Sequence, residues 1–136
     1  MISINYLAII VCAILMQALG AGWYGVFAGS WARALGKSVE QLQAQMGVSP
    51  YVIAILGALL LNCVLAVLIE KTKTETWTQG ALLGLWTWAG FVMPSLATHY
   101  AFAGLSPTLT LVDASHTLLA LLLCGVILTL WRKRSS

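Results

Sequence analysis

Four long apolar stretches, separated by short polar intervals, set the pattern of this chain. The first runs from about Ile4 to Ala28 and is interrupted by Gln17. Between Arg33 and Gly47 the pattern changes: Leu35, Val39, Leu42 and Met46 recur at helical spacing against Glu40, Gln41, Gln43 and Gln45. Ser38 with Gln41 forms a capping-box signature and Gly47 suits a C-terminal stop. The spacing predicts a short amphipathic helix over about 38–46, either lying on a membrane surface or packed over the mouth of a helix bundle. Ser49-Pro50, a cap followed by a proline at the first helical position, opens the second stretch, about 50–69. Asn62 is its one strongly polar residue, and EKTKTET follows as a polar loop.

Thr76 with Gln79 is a second capping box and starts the third stretch, about 76–100. Pro94 lacks an N–H and crowds the carbonyl of Gly90, which predicts a kink between Gly90 and Pro94. Ser106-Pro107 repeats the cap-then-proline signal and opens the fourth stretch, about 107–131. Its strictly apolar part, Leu118 to Trp131, has 14 residues, too few to cross ~30 Å of hydrocarbon. The helix must therefore include Asp113 and His116, a carboxylate and an imidazole three residues apart on one face.

Composition turns these stretches into membrane spans. Of 136 residues, 60% are hydrophobic and 8% charged, against roughly 25% charged in soluble domains. A span consumes roughly 20 residues, so the expected fold is all-α: a four-transmembrane-helix bundle forming one integral membrane domain over 1–136, with the short amphipathic helix between helices 1 and 2. No basic residue precedes the apolar run from Tyr6, so a cleaved signal peptide is not expected. Lys71, Lys73, Arg132, Lys133 and Arg134 flank one side and Arg33 and Lys37 the other, which predicts cytoplasmic N- and C-termini.

Small residues and tryptophans refine the packing. Ala21, Gly25 and Gly29 recur every four residues, the pattern that lets backbones approach where lipid gives no hydrophobic drive, and Gly80 and Gly84 repeat it in span three. Trp31 falls where an interfacial tryptophan is expected. Trp86 and Trp88 fall near mid-membrane, where their indole N–H groups need acceptors. Gln17 and Asn62 are the candidates at similar depth, giving either an internal polar network or a lined solute path.

GAGWYGVFAGSWARALG in span one, LGLWTWAGFVMPSLATHYAFAG in span three and LVDASHTLLALLLCGVIL in span four resemble the bacterial membrane proteins catalogued as domain-of-unknown-function family 1761 (DUF1761). The most specific pieces are Trp23-Tyr24, Gly90-Phe91 before Pro94, and Asp113 with His116. The chain departs from the pattern at Gly25, where a small polar residue and a proline are usual, and at His99, where an amide is common. The resemblance implies the four-span fold and a multi-pass location in the bacterial inner membrane, and it supplies no activity.

His99, Asp113 and His116, with Trp23 and Tyr24, form the candidate polar site. Three readings stay open: Asp–His or Asp–Trp/Tyr bonds tying spans one, three and four together, a solute or proton site, or a facial metal site. Of these the metal reading is the weakest, and neither a metal nor a cofactor is expected. Cys12, Cys63 and Cys124 count to one depth in three helices, where apolar surroundings make thiols inert small hydrophobes. HExxH, GxSxG, paired metal-spaced cysteines and phosphate loops are missing from the sequence, so no enzyme is expected, and the split basic residues make no nucleic-acid face. The expected partners are the lipid bilayer and either further copies of the chain or a larger membrane complex. Two functions remain: a homo-oligomeric solute or proton permeation protein, or a non-catalytic accessory or binding subunit.

Overall fold

The computed structural model describes residues 3–133; their regular structure is entirely helical, with four helical stretches long and apolar enough to cross a membrane. α1 (Tyr6–Val26) begins at Asn5, whose side chain accepts from the Ala8 amide. It ends one residue before Phe27, and α2 (Ala28–Ala34) continues after that break. Gly25 and Gly29 flank the break, and glycine is the residue least able to hold a helix against it apart from proline. Span one is thus shorter than the apolar run suggested. Gly36, at φ 69°, closes α2.

α3 (Val39–Gln45) carries the expected capping box between Ser38 and Gln41 and buries no residue. It ends before Gly47, and the left-handed glycines are Gly36 and Gly104 instead. α4 (Ser49–Lys71) starts at Ser49 itself, with Val48 as the flanking residue and Pro50 in the first turn. Ser49 therefore makes no cap, contrary to the sequence signal. The third span is one continuous path of α5 (Trp77–Thr87), a π-helical turn (Trp88–Val92) and α6 (Met93–Phe102). The Thr76/Gln79 capping box opens it. The kink expected around Gly90 and Pro94 takes the form of that π-turn, in which the Met93 N–H donates to the Trp88 carbonyl five residues back, and the wider turn eases the proline ring past the Gly90 carbonyl that Pro94 cannot bond. α7 (Pro107–Leu130) is capped by Ser106, which accepts from the Thr108 amide.

α7 is the centre of the packing, touching α1, α2, α4, α5 and α6. Against α5 it packs backbone to backbone. Gly80 faces the Gly125 carbonyl and Thr129, Gly84 faces the Leu121 carbonyl, and Gly125 faces the Gly80 carbonyl, each too closely to admit a Cβ. Below this seam, Ile9 and Cys12 of α1, Leu65 and Ile69 of α4, and Leu121 and Cys124 of α7 close a buried core. At the same end Asn5 Nδ2 donates to the Trp131 carbonyl at 2.6 Å. Arg132 lies 4.0 Å from Glu70 and 3.5 Å from Glu75. The two ends of the described chain and the 70–76 loop therefore meet at one end of the molecule, with α2 and α3 toward the other. Arg134 lies outside the described residues. Elsewhere α4 and the third span diverge, leaving an apolar groove of about 320 Å³ walled by Leu60, Val64, Leu68, Val92 and Leu121.

Candidate functional site

The second turn of α7 gathers donors from three other segments. Asp113 is 8% exposed. Tyr24 of α1 donates its hydroxyl to Asp113 Oδ1 at 2.5 Å, and Tyr100 of α6 donates to Oδ2 at 2.6 Å. On either side in sequence, Trp23 Nε1 donates to the Val112 carbonyl at 3.0 Å. Trp88 Nε1, at the start of the π-turn, donates to the Ala114 carbonyl at 2.9 Å and reaches Thr117 Oγ1 at 3.2 Å. Three consecutive residues of one helix thus accept from α1, α6 and the π-turn. Among the described residues the ion pairs are those of Arg132, so Asp113 has no basic partner. A carboxylate with two hydroxyl donors and no cation is held by charge-assisted hydrogen bonds alone.

His116 does not bond Asp113 directly. Tyr24 stands between them, its ring 5.3 Å from the imidazole and its hydroxyl on the carboxylate. His116 Nε2 is buried with no hydrogen-bond partner. Gly20 packs beside it, and a Cβ there would stand in ordinary contact at 3.5 Å from that nitrogen. Trp31 lies edge-on to Tyr24 at 5.8 Å, and its Nε1 is also buried without a partner.

Several expected members fall elsewhere. His99 is exposed and turned out of the cluster, its ring 6.2 Å from that of Tyr100. Adjacent helical residues point about 100° apart, and Tyr100 is the one that faces α7. The facial trio of His99, Asp113 and His116 is therefore not assembled, and among the described residues no group of three His, Cys, Asp or Glu side chains gathers where it could hold a metal. The mid-membrane network also dissolves. Trp86 is 72% exposed and faces outward. Trp88 bonds α7 rather than Gln17 or Asn62. Gln17 Nε2 reaches the Ala54 carbonyl at 3.4 Å. Asn62 Nδ2 bonds its own preceding turn at Ala58 (2.8 Å) and Met16 Sδ (3.2 Å). Both amides spend N–H donors on these contacts, and the Asn62 Oδ1 that could accept from an indole is buried without a partner.

The small residues divide in the same way. Gly80 and Gly84 lie against α7, whereas nothing lies within 4 Å of a Cβ built at Gly25 or Gly29 and Ala21 is exposed, because α1 and α2 meet their neighbours through other faces. Gly125, which completes the α5–α7 seam, was not singled out by the sequence reading. Neither was Tyr100, although it is the only tyrosine in the third span. The carbonyls of Val112 and Ala114 carry no sequence signal at all. Cys12 and Cys124 are buried together, Cys124 Sγ lying 3.9 Å from the Cys12 carbonyl, and Cys63 borders the same core.

A multi-pass membrane chain whose spans are joined at a buried, unpaired aspartate is the class that fold and site define. The family model described as "Protein of unknown function (DUF1761)" matches residues 7–129, and the chain belongs to that family. No curated protein and no solved structure matches it.

Proposed function

We propose that this is a non-enzymatic permeation protein of the inner membrane that moves protons, alone or with a solute, through a homo-oligomer, with Asp113 as its protonatable group. The observation that carries this reading is the burial of Asp113 without any basic counterion. A charge held in the apolar layer is costly, and ionisable groups kept there are most often sites of proton or ion passage. A proton is also the smallest cation, and it can bond to Asp113 with no ligands beyond the two hydroxyls already there. The exposed small residues of α1 support the oligomer, since a second copy can approach that face closely. In this arrangement the spans form a bundle in each copy. The basic residues beside Glu70 and after Trp131 support cytoplasmic termini, and the absence of any buried residue in α3 supports a place for it on the opposite membrane surface.

The test is proton flux into vesicles reconstituted with purified protein and loaded with a pH-sensitive dye. The wild type should dissipate an imposed pH gradient faster than protein-free vesicles, and Asp113→Asn should slow it at least tenfold. Equal rates for wild type and empty vesicles contradict the reading. A reporter fused after Ser136 should be active only in the cytoplasm.

The open glycines Gly25 of α1 and Gly29 of α2 favour a second reading, an accessory subunit that docks a larger membrane protein there. Stable co-purification with such a partner, together with absent flux, would select it.

A further inference from the structure

α5 and α6 belong to one span yet are held in unlike ways. α5 is locked to α7 by Gly80, Gly84 and Gly125. α6 buries no residue, and its one long-range side-chain hydrogen bond among the described residues runs from Tyr100 to Asp113. Between them lies the π-turn Trp88–Val92, followed by Pro94. Such turns hold an irregular ladder of backbone bonds and often mark functional hinges. Trp88 fastens the α5 side of the hinge to Ala114 and Thr117, while Phe91 within the turn and Phe102 at the end of α6 are exposed.

We infer that Tyr100 gates the Asp113 site: its hydrogen bond latches α6 to α7, and protonation of Asp113 releases α6 about the π-turn and opens the carboxyl group to water at the α2–α3 end. This rests on the proposed proton site. The ionised carboxylate accepts one charge-assisted bond on each oxygen, about twice as strong as a neutral bond. When a hydronium ion transfers its proton to Oδ2, water leaves and that oxygen gains an O–H. Oδ2 and the Tyr100 hydroxyl then share a single hydrogen between them, so the bond becomes neutral and the second hydrogen must find another acceptor. The four-residue connection Ala103–Ser106 joins α6 to the start of α7, so the movement is a rotation or tilt of α6 rather than a swing. The titratable groups around Asp113 are Tyr24 of α1, Tyr100 of α6 with His99 against its ring, and His116 of α7 beyond Tyr24. Arg33 of α2 is turned back to the Gly29 carbonyl.

The experiment places a cysteine at Ala97, one turn before Tyr100 and half-buried, and follows its labelling by a membrane-impermeant maleimide in vesicles, with the signal of the three native thiols subtracted. Tyr100→Phe and Asp113→Asn should each speed labelling about fivefold or more, the population change expected from losing a charge-assisted hydrogen bond. Leu82→Cys in α5 should be unaffected by either change. With Tyr100 intact, labelling at position 97 relative to Phe102→Cys should rise as the pH falls, and this rise should vanish in Asp113→Asn. A pH-independent ratio in the chain that keeps both Tyr100 and Asp113 overturns the gate, as does unchanged labelling in a folded Tyr100→Phe protein. The flux assay separates the two ideas. Flux without a labelling change removes the gate and leaves the proton site, whereas a labelling change without flux leaves the latch and removes the proton reading.

Discussion

The two halves of the third span meet the same helix, α7, by opposite means. α5 meets it through glycines, with backbone against backbone and only the Thr129 hydroxyl beside Gly80. α6 meets it through one hydroxyl on one carboxylate, with no buried residue of its own. In lipid, apolar side chains gain nothing from leaving their solvent, so close van der Waals packing and hydrogen bonds decide which helices hold together. The glycine seam supplies packing that no pH change can alter. The tyrosine contact supplies a bond whose strength depends on one proton. The difference marks α5 with α7 as the frame and α6 as the part able to move.

The largest effect expected from breaking this contrast lies in the seam. Gly84→Ala drives a Cβ into the Leu121 carbonyl, and forced overpacking of this kind costs about 1–3 kcal/mol. Gly25→Ala meets nothing within 4 Å and should leave the melting temperature in detergent unchanged or slightly raised. Equal losses in the two variants would mean that α5 and α7 are not in backbone contact.

Next comes the carboxylate. Asp113→Ala leaves the hydroxyls of Tyr24 and Tyr100 poorly solvated and without their acceptor, at about 1–3 kcal/mol. Asp113→Asn keeps one acceptor oxygen and should lose less. Lys37→Gln is the reference, since the Lys37 ammonium donates to the exposed Gln45 side chain at 2.8 Å. A melting temperature for Asp113→Ala equal to that of Lys37→Gln would place Asp113 in water.

The smallest contrast is between the two neighbouring tryptophans. Trp88→Phe loses the indole bonds to Ala114 and Thr117 and should cost about 1 kcal/mol. Trp86→Phe, outward-facing at 72% exposure, should cost almost nothing. A reversed order would show the third span rotated from the arrangement described.

Much of the frame was legible because the rules behind it are local. Cap residues and prolines set the starts of the third and fourth spans to within a residue or so, and a length requirement alone brought Asp113 inside the helix. Rotation about a helix axis is not local. Hydropathy gave no reason to prefer Tyr100 over His99 or Trp88 over Trp86, since all lie in a lipid-compatible run and only packing against α7 chooses between them. The same applies to Gly25 and Gly29 against Gly80 and Gly84, where one spacing rule yields an open face in α1 and α2 and a tight seam in α5. Backbone acceptors such as the Val112 and Ala114 carbonyls are invisible to any reading of side chains.

Asp113 is the only aspartate in the chain, so labelling aspartate with carbon-13 at its carboxyl observes this one group without mutation. The most direct measurement is its carboxyl resonance in lipid from about pH 4 to 9, a range that brackets ordinary carboxyl and imidazole titration. A group that takes up and releases a proton should show a resonance that titrates within this range, with the profile altered in Tyr100→Phe. A resonance fixed across the whole range would make Asp113 a permanent structural pin and contradict both the proton site and its gate.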